Sequence, residues 1–278
     1  MLPSLRQTTP SRAAKPRATH PRILIVAALL ACGFAHDKLP AQEPHYARVP
    51  ADPAFKPVPE ESRGEVLKRD FAASAFYPGT RHNYSIYVPK AYDPARPACL
   101  YVTCDGDVFG AAPTVLDNLI AKGDMPVTIG VFVEPGVING DDGKAFHWTR
   151  QYDYDTIDDT VVRFLTEELL PDVEKQTAAD GRPVRLSRDA KDRAIGGFSS
   201  GGICAFNAAW RRPDVFSRVL SGGGTYLALH GGNEFPFLIR KTEPKPLRVF
   251  LDTGRMEVPL PPIGVHPEAN QSMETALR

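Results

Sequence analysis

Residues 194–205 read Ala-Ile-Gly-Gly-Phe-Ser-Ser-Gly-Gly-Ile-Cys-Ala: an apolar strand, a glycine-crowded turn and the start of a helix. The core of this stretch, Gly197-Phe198-Ser199-Ser200-Gly201, is Gly-x-Ser-x-Gly. In that setting it predicts a turn so tight that Ser199 takes a strained backbone angle, with room only because glycine stands two residues before and two after. The competing reading is a plain glycine turn with a serine helix cap. The extra glycines at Gly196 and Gly202 weigh against it.

Strand-length apolar runs alternate with helical patterns through the rest of the chain. Strands are predicted at Tyr84–Val88, Ala98–Thr103, Val127–Val133, Arg193–Gly196, Val215–Leu220 and Leu247–Leu251. Helices are predicted at Thr114–Lys122, Ile157–Gln176, Ser200–Arg212 and Pro267–Leu277. Such alternation predicts an α/β fold with a mostly parallel sheet and helices on both faces. Residues 84–88 alternate polar and apolar and suit an antiparallel edge, whereas 98–103, 127–133 and 247–251 are continuous and suit buried parallel positions. With 42% hydrophobic and 24% charged residues, one folded domain over 64–278 accounts for these elements.

The N-terminus is of another kind. Arg6, Arg12, Lys15, Arg17 and Arg22 precede the apolar run Ile23–Ala31, and no acid occurs before Asp37. This is the pattern of an export signal peptide over 1–41, and its apolar run is too short to cross a bilayer. Cleavage after Ala41 competes with a lipobox-like site that would make Cys32 the anchor of a lipoprotein. Residues 42–63 are Pro-rich, without hydrophobic period, and read as a linker or an arm strapped onto the domain. Past Ala41 the chain carries 27 basic against 32 acidic residues, which argues against a nucleic-acid partner.

Cys99, Cys104 and Cys204 have neither CxxC spacing nor histidine at ligand spacing, so neither zinc nor a disulfide framework is expected. Cys99 and Cys104 lie at an odd offset on one predicted strand, about 16 Å apart, and cannot bridge. Asp141-Asp142-Gly143 lacks the further oxygens of a calcium loop. No metal or organic cofactor is expected.

Beyond the turn at Ser199, the chain carries Tyr84-Ser85-Ile86-Tyr87-Val88-Pro89, Cys104-Asp105-Gly106-Asp107, Tyr152-Asp153, Glu167-Glu168-Leu169-Leu170-Pro171 and Arg211-Arg212-Pro213-Asp214-Val215-Phe216. With these marks, residues 64–278 resemble the esterase D and enterochelin-esterase-like branch of the α/β-hydrolases. The resemblance implies Ser199 as nucleophile and carboxyl-ester hydrolysis through an acyl-serine intermediate. Relatives act on carbohydrate, siderophore or thioester substrates, and some transfer acyl chains. The Ser200 amide, at a helix N-terminus, is the first oxyanion donor by geometry, and the resemblance implies the Asp107 amide as the second. A plain turn is the competing reading of Asp105-Gly106. The position matching the family's triad acid is Glu257, with Asp252 at the strand tip as the alternative. The loop 147–155 borders the cleft in the family, where Arg150 and Tyr152 would hold substrate. Asp155 capping the next helix and Arg150 pairing with an acid are the structural alternatives.

The pattern breaks at the base. Triad order in this fold is Ser, acid, His, with the His after the last strand. The chain reaches Arg278 first, so the fold is expected without its last strand and helix, and 247–251 as an open sheet edge. Only His266 follows the acid, and its Pro-rich setting suggests a surface loop. A catalytically inactive binding module and an acyltransferase on the same fold are therefore the rival readings.

Overall fold

The computed structural model describes residues 52–140, 145–254 and 264–278. The expected export segment 1–41, the first residues of the Pro-rich stretch, Asp141-Asp142-Gly143 and Glu257 lie outside the described residues.

Seven strands form one sheet in the order β1 (Glu65–Phe71), β2 (His82–Val88), β4 (Thr128–Val133), β3 (Cys99–Cys104), β7 (Arg193–Phe198), β8 (Arg218–Gly222) and β9 (Arg248–Asp252). The β1–β2 and β2–β4 pairs are antiparallel and the remainder parallel. A separate hairpin joins β5 (Val137–Asn139) to β6 (Ala145–Trp148). This order and polarity make an α/β-hydrolase-like fold. Among the described residues no strand pairs with the outer side of β9.

Alternation along the strands sorts side chains onto two faces. On one face Ile86, Leu100, Val102, Val131 and Ile195 belong to the main core, which also takes in Ile203, Cys204, Ala205, Phe206, Ala208 and Ala209 of α5 (Ser200–Arg211). The small residues bring α5 close to the sheet, and every residue from Ser200 to Trp210 is buried. Also in this core are Val161 and Val162 of α3 (Thr160–Arg163), Phe164 and Leu165 of a wide π-helical turn (Phe164–Leu169), Val173 of α4 (Leu170–Val173) and Met273 of α7 (His266–Leu277). On the opposite face Tyr87 and Phe132 pack against Leu116 of α1 (Ala112–Lys122). Beyond α1, no described helix covers this second face, where Phe198, Leu220 and Phe250 are 41%, 45% and 62% exposed.

The stretch before β1 lies on α1. Asp52 caps a short turn at Pro53–Phe55, and the Asn118 side-chain amide donates to the carbonyls of Ala54 (3.0 Å) and Lys56 (2.8 Å). Asp117, nearly buried, accepts from the Gly64 amide and the Tyr87 hydroxyl through one oxygen.

Several expectations change here. The residues expected as a loop over 147–155 form the end of β6 and all of α2 (Arg150–Asp155), and the following helix starts at Thr160 with Asp159 as its cap, so Asp155 ends a helix instead of starting one. Half-buried Glu168 accepts from the Ser74 hydroxyl and the Ala75 amide at 2.6 and 2.8 Å. His266 is not a surface-loop residue, being the first residue of α7 and buried. Cys99 and Cys104 stand on opposite faces of β3, and Cys99, Cys104 and Cys204 are all free thiols.

Candidate active site

β7 runs straight into Ser199, and α5 begins at Ser200. Ser199 sits at φ 56° and ψ −119°, a conformation sparsely populated for a residue with a side chain. Its amide donates to the Gly222 carbonyl on β8 (2.8 Å), and its carbonyl accepts from Gly202 and Thr225. The glycines are needed for this closeness. A Cβ at Gly197 would stand 2.4 Å from the Gly201 backbone, and one at Gly201 would stand 2.7 Å from the Cys104 carbonyl oxygen. The Ser199 hydroxyl lies 3.3 Å from that of Thr225, the group within hydrogen-bond reach of it among the described residues.

The turn after β3 stands beside the start of α5. Asp105 and Gly106 both have positive φ, 81° and 69°. Gly106 donates to the Val133 carbonyl, and the Thr103 hydroxyl donates to the Gly106 carbonyl. Asp107 uses its carboxylate to receive the amides of Ala111 and Ala112 at the start of α1. The Ser200 backbone amide, in the first turn of α5, has no acceptor inside its own helix, and among the described residues the Asp107 backbone amide donates to no backbone acceptor.

Arg150 bridges these two turns. Its Nε donates to both carboxylate oxygens of Asp105 at 2.8 and 2.9 Å, its Nη2 donates to Asp105, and its Nη1 donates to the Ser200 hydroxyl at 2.9 Å. The hydrogen bond to Asp105 holds the guanidinium above its ordinary pKa. The guanidinium thus faces the protein instead of an open substrate site. Tyr152, two residues on, is 64% exposed and Trp148 is 65% exposed.

Beneath the clamp lie two buried acids, Asp153 and Asp155. Asp155 is fully buried, and among the described residues neither carboxylate oxygen meets a partner in hydrogen-bond geometry. Burial raises its pKa, opposed by the nearby Ser200 hydroxyl and the Arg150 charge. Asp153 accepts from the Thr149 hydroxyl (2.6 Å) and the Gly136 amide (2.8 Å), tying α2 to the segment after β4. Burial raises Asp153 as well and lowers its neighbour His82, whose ring stacks near Phe164 and Tyr77. A Thr-x-x-x-Asp spacing at 149–153 is the one local signal that could have announced this tie.

On the acid side, Asp252 ends β9 opposite Gly222, is exposed, and offers its carbonyl to the Gly223 amide. His266 opens α7, where Asn270 donates to both the His266 and Gly224 carbonyls at 2.9 Å. The start of α7 therefore rests against the segment 224–225 that contacts Ser199. Among the described residues no three His, Cys, Asp or Glu side chains converge as a metal site.

A serine on a strained strand-to-helix elbow, at the C-terminal edge of a parallel sheet with the Ser200 and Asp107 amides beside it, is the arrangement of an α/β-hydrolase-like fold. Residues 76–231 match the family described as putative esterase, and the chain belongs to that family. A comparison with curated proteins gave no match. Among solved structures, a ferulic acid esterase superposes with a TM-score of 0.58 at 18% identity, covering 78% of this chain and 86% of that one. The enterobactin esterase FES from Shigella flexneri, with 2,3-di-hydroxy-N-benzoyl-glycine, gives 0.58 at 21% identity, over 80% of this chain but only 52% of FES. The CE1 ferulic acid esterase AmCE1/Fae1A from Anaeromyces mucronatus gives 0.56 at 16% identity, over 79% and 84%. At these identities the likeness is one of fold.

Proposed function

We propose that this protein is an exported serine carboxyl-ester hydrolase acting on carbohydrate or siderophore esters. The observation that carries the reading is the backbone of Ser199, held at φ 56° with its hydroxyl at the sheet edge by glycines that admit no Cβ. Strain of this kind is maintained only where the surroundings impose it, and it collects at catalytic positions. In the proposed reaction the Ser199 oxygen attacks the ester carbonyl, its proton passes to a base, and the carbonyl oxygen becomes an oxyanion received by the Ser200 and Asp107 amides. The alkoxide leaves with a proton, and water then hydrolyses the acyl-serine. Glu257 is the proposed acid. Exposed Trp148 and Tyr152 offer flat faces to a sugar or aryl ring of the ester, and Tyr152 is the proposed substrate contact. Arg150 serves that contact indirectly, by holding the two turns together.

The membership in an esterase family and the fold of ferulic acid and enterobactin esterases support the ester class. Export rests on the basic-then-apolar pattern of residues 1–41, and a fusion of that segment to a reporter active only outside the cytoplasm tests it; a Cys32→Ser change that releases the fusion from membranes would assign the lipoprotein route.

Fluorophosphonate labelling read by intact mass, with Ser199→Ala as control, tests the mechanism. One adduct lost in Ser199→Ala is the expected result. A folded chain without an adduct would overturn the hydrolase reading in favour of a binding module, which the pairing of the Ser199 hydroxyl with Thr225 would suit. Product transfer to added sugars in preference to water would assign an acyltransferase.

A further inference from the structure

The loop after β8 brings a second hydroxyl to Ser199. Thr225 is buried, and its Oγ1 lies 3.3 Å from Oγ of Ser199. Among the described residues neither hydroxyl has another hydrogen-bond partner. Backbone bonds fix the two groups relative to each other. The Thr225 amide donates to the Ser199 carbonyl at 3.2 Å, and the Ser199 amide donates to the Gly222 carbonyl at 2.8 Å. Beside Thr225, the Gly224 carbonyl accepts from Asn270 and from the Tyr226 amide, both at 2.9 Å, and the buried Tyr226 hydroxyl pairs with that of Ser221 at 2.8 Å. A Cβ at Gly224 would stand 2.5 Å from the Tyr226 ring and 2.6 Å from Ser221 Oγ, so the turn has no slack. The branched Cβ of threonine restricts the rotation that remains at χ1.

We propose that Thr225 is a further catalytic residue of the ester hydrolysis assigned to Ser199 above, donating a hydrogen bond to Ser199 Oγ and keeping its own proton throughout. The direction of the bond follows from the reaction. Ser199 gives its proton to the base as its oxygen attacks, so its hydrogen points away from Thr225 and a lone pair of Oγ accepts. While that proton leaves, the bond from Oγ to the carbonyl carbon forms and the carbonyl π pair moves to the oxyanion. Oγ thereby passes through a state richer in charge than the resting hydroxyl.

A hydrogen bond to a charged oxygen is shorter and roughly twice as strong as one between neutral groups. The 3.3 Å contact of the resting site therefore tightens as attack proceeds. An interaction that is stronger in the transition state than in the ground state lowers the barrier, whereas one equal in both does not. In the acyl-serine, Oγ is an ester oxygen and a weak acceptor, so the bond slackens. It tightens again when water attacks the acyl carbon and Oγ takes back charge and then its proton. Thr225 thus acts on the nucleophile's oxygen in both halves of the reaction, while the Ser200 and Asp107 amides are the proposed donors to the other oxygen.

The test compares Thr225→Val, which keeps the branched shape and removes the hydroxyl, with Thr225→Ser, which keeps the hydroxyl. Circular dichroism and urea midpoints check folding, and Thr225→Ala takes the place of the valine variant if that one does not fold. Fluorophosphonate labelling of Ser199 is followed over a range of reagent concentrations. Thr225→Val should lower the limiting rate by about ten- to a hundredfold, the scale of one hydrogen bond to a charged group, with the reagent concentration at half that rate unchanged. Thr225→Ser should regain most of the rate. Independently of reactivity, Ser199→Ala should lower the urea midpoint more in the natural chain than in Thr225→Val, because only in the natural chain does it leave a buried hydroxyl without its partner. A Thr225→Val chain that labels as fast as the natural one, a slow rate that Thr225→Ser fails to regain, or equal effects of Ser199→Ala in the two backgrounds would overturn the proposal alone. A folded natural chain that takes no adduct would overturn the serine hydrolase reading, on which the role of Thr225 rests.

Discussion

Arg150 donates from Nε to both carboxylate oxygens of Asp105 while its Nη1 reaches the Ser200 hydroxyl, so one guanidinium joins the turn after β3 to the turn that carries Ser199. Both turns contain a residue with a side chain at positive φ, Asp105 and Ser199. The clamp holds two strained turns in register, and with them the spacing of the proposed oxyanion donors at Ser200 and Asp107.

Replacing Arg150 by Ala should therefore lower stability by about 2 kcal/mol, the scale of a charge-assisted hydrogen-bond set in a half-buried place, and slow labelling of Ser199. Lys should rescue stability better than reactivity, because an ammonium cannot reproduce the planar fork. Urea midpoints and labelling rates measure the two effects. Asp105→Asn added to Arg150→Ala should cost less than the sum of the single changes.

Glycines separate by what surrounds them. Gly197→Ala and Gly201→Ala drive a methyl into backbone atoms at 2.4 and 2.7 Å, and each should cost about 3 kcal/mol. Gly123, at φ 75° with no neighbour within 4 Å, caps α1 and should cost only about 1 kcal/mol as Ala. Denaturant titration of the three variants orders them.

Acid should act through His82. Burial holds its folded-state pKa below the ordinary 6.5, so as the pH falls below 6.5 the unfolded chain takes up a proton that the folded chain refuses. Stability then declines by at most about 1.4 kcal/mol per pH unit until the folded value is reached. Asp153 and Asp155 have the opposite sign: their folded values are raised above 3.8, so they remove stability as the pH rises past 3.8. His82→Gln should flatten the profile between pH 7 and 5, measured by urea midpoints across that range.

Cys104 and Cys204 are 2% and 0% exposed, and burial, with Cys104 alongside, pushes the Cys204 thiol far up. Both should resist a thiol reagent at neutral pH and react on unfolding. Counting labels by mass before and after adding denaturant checks this.

The elbow was legible because its chemistry is local: the glycines of 196–202 are required by contacts within a few residues and by the adjacent strands. Continuous strands such as 128–133 were legible because all six of their residues are buried. β1 was not, since Lys68, Arg69 and Asp70 interrupt a strand that is half-buried at the sheet edge. The helix at 150–155 escaped because it is short and is held by long-range bonds from Asp153 and Arg150, which spacing along the chain does not reveal. His266 was misplaced for the same reason: the prolines around it suggest a loop, while Asn270 fastens the helix start to Gly224. Arg150 could be named as a site residue from its neighbourhood, but its partner Asp105, 45 positions earlier, emerges only in three dimensions.

The attachment of residues 52–56 to α1 bears on proteolysis. Pro53, Pro57 and Pro59 restrict this stretch before it docks, so ordering it costs less than for an ordinary tail, and the two carbonyl bonds from Asn118 keep it from straightening. A protease must draw several residues into an extended strand in its cleft, and one working inward from the N-terminus meets here a stiff, fastened segment in which the basic residue Lys56 is followed by Pro57. Digestion should halt at this point and leave the fold with a defined, ragged-free start.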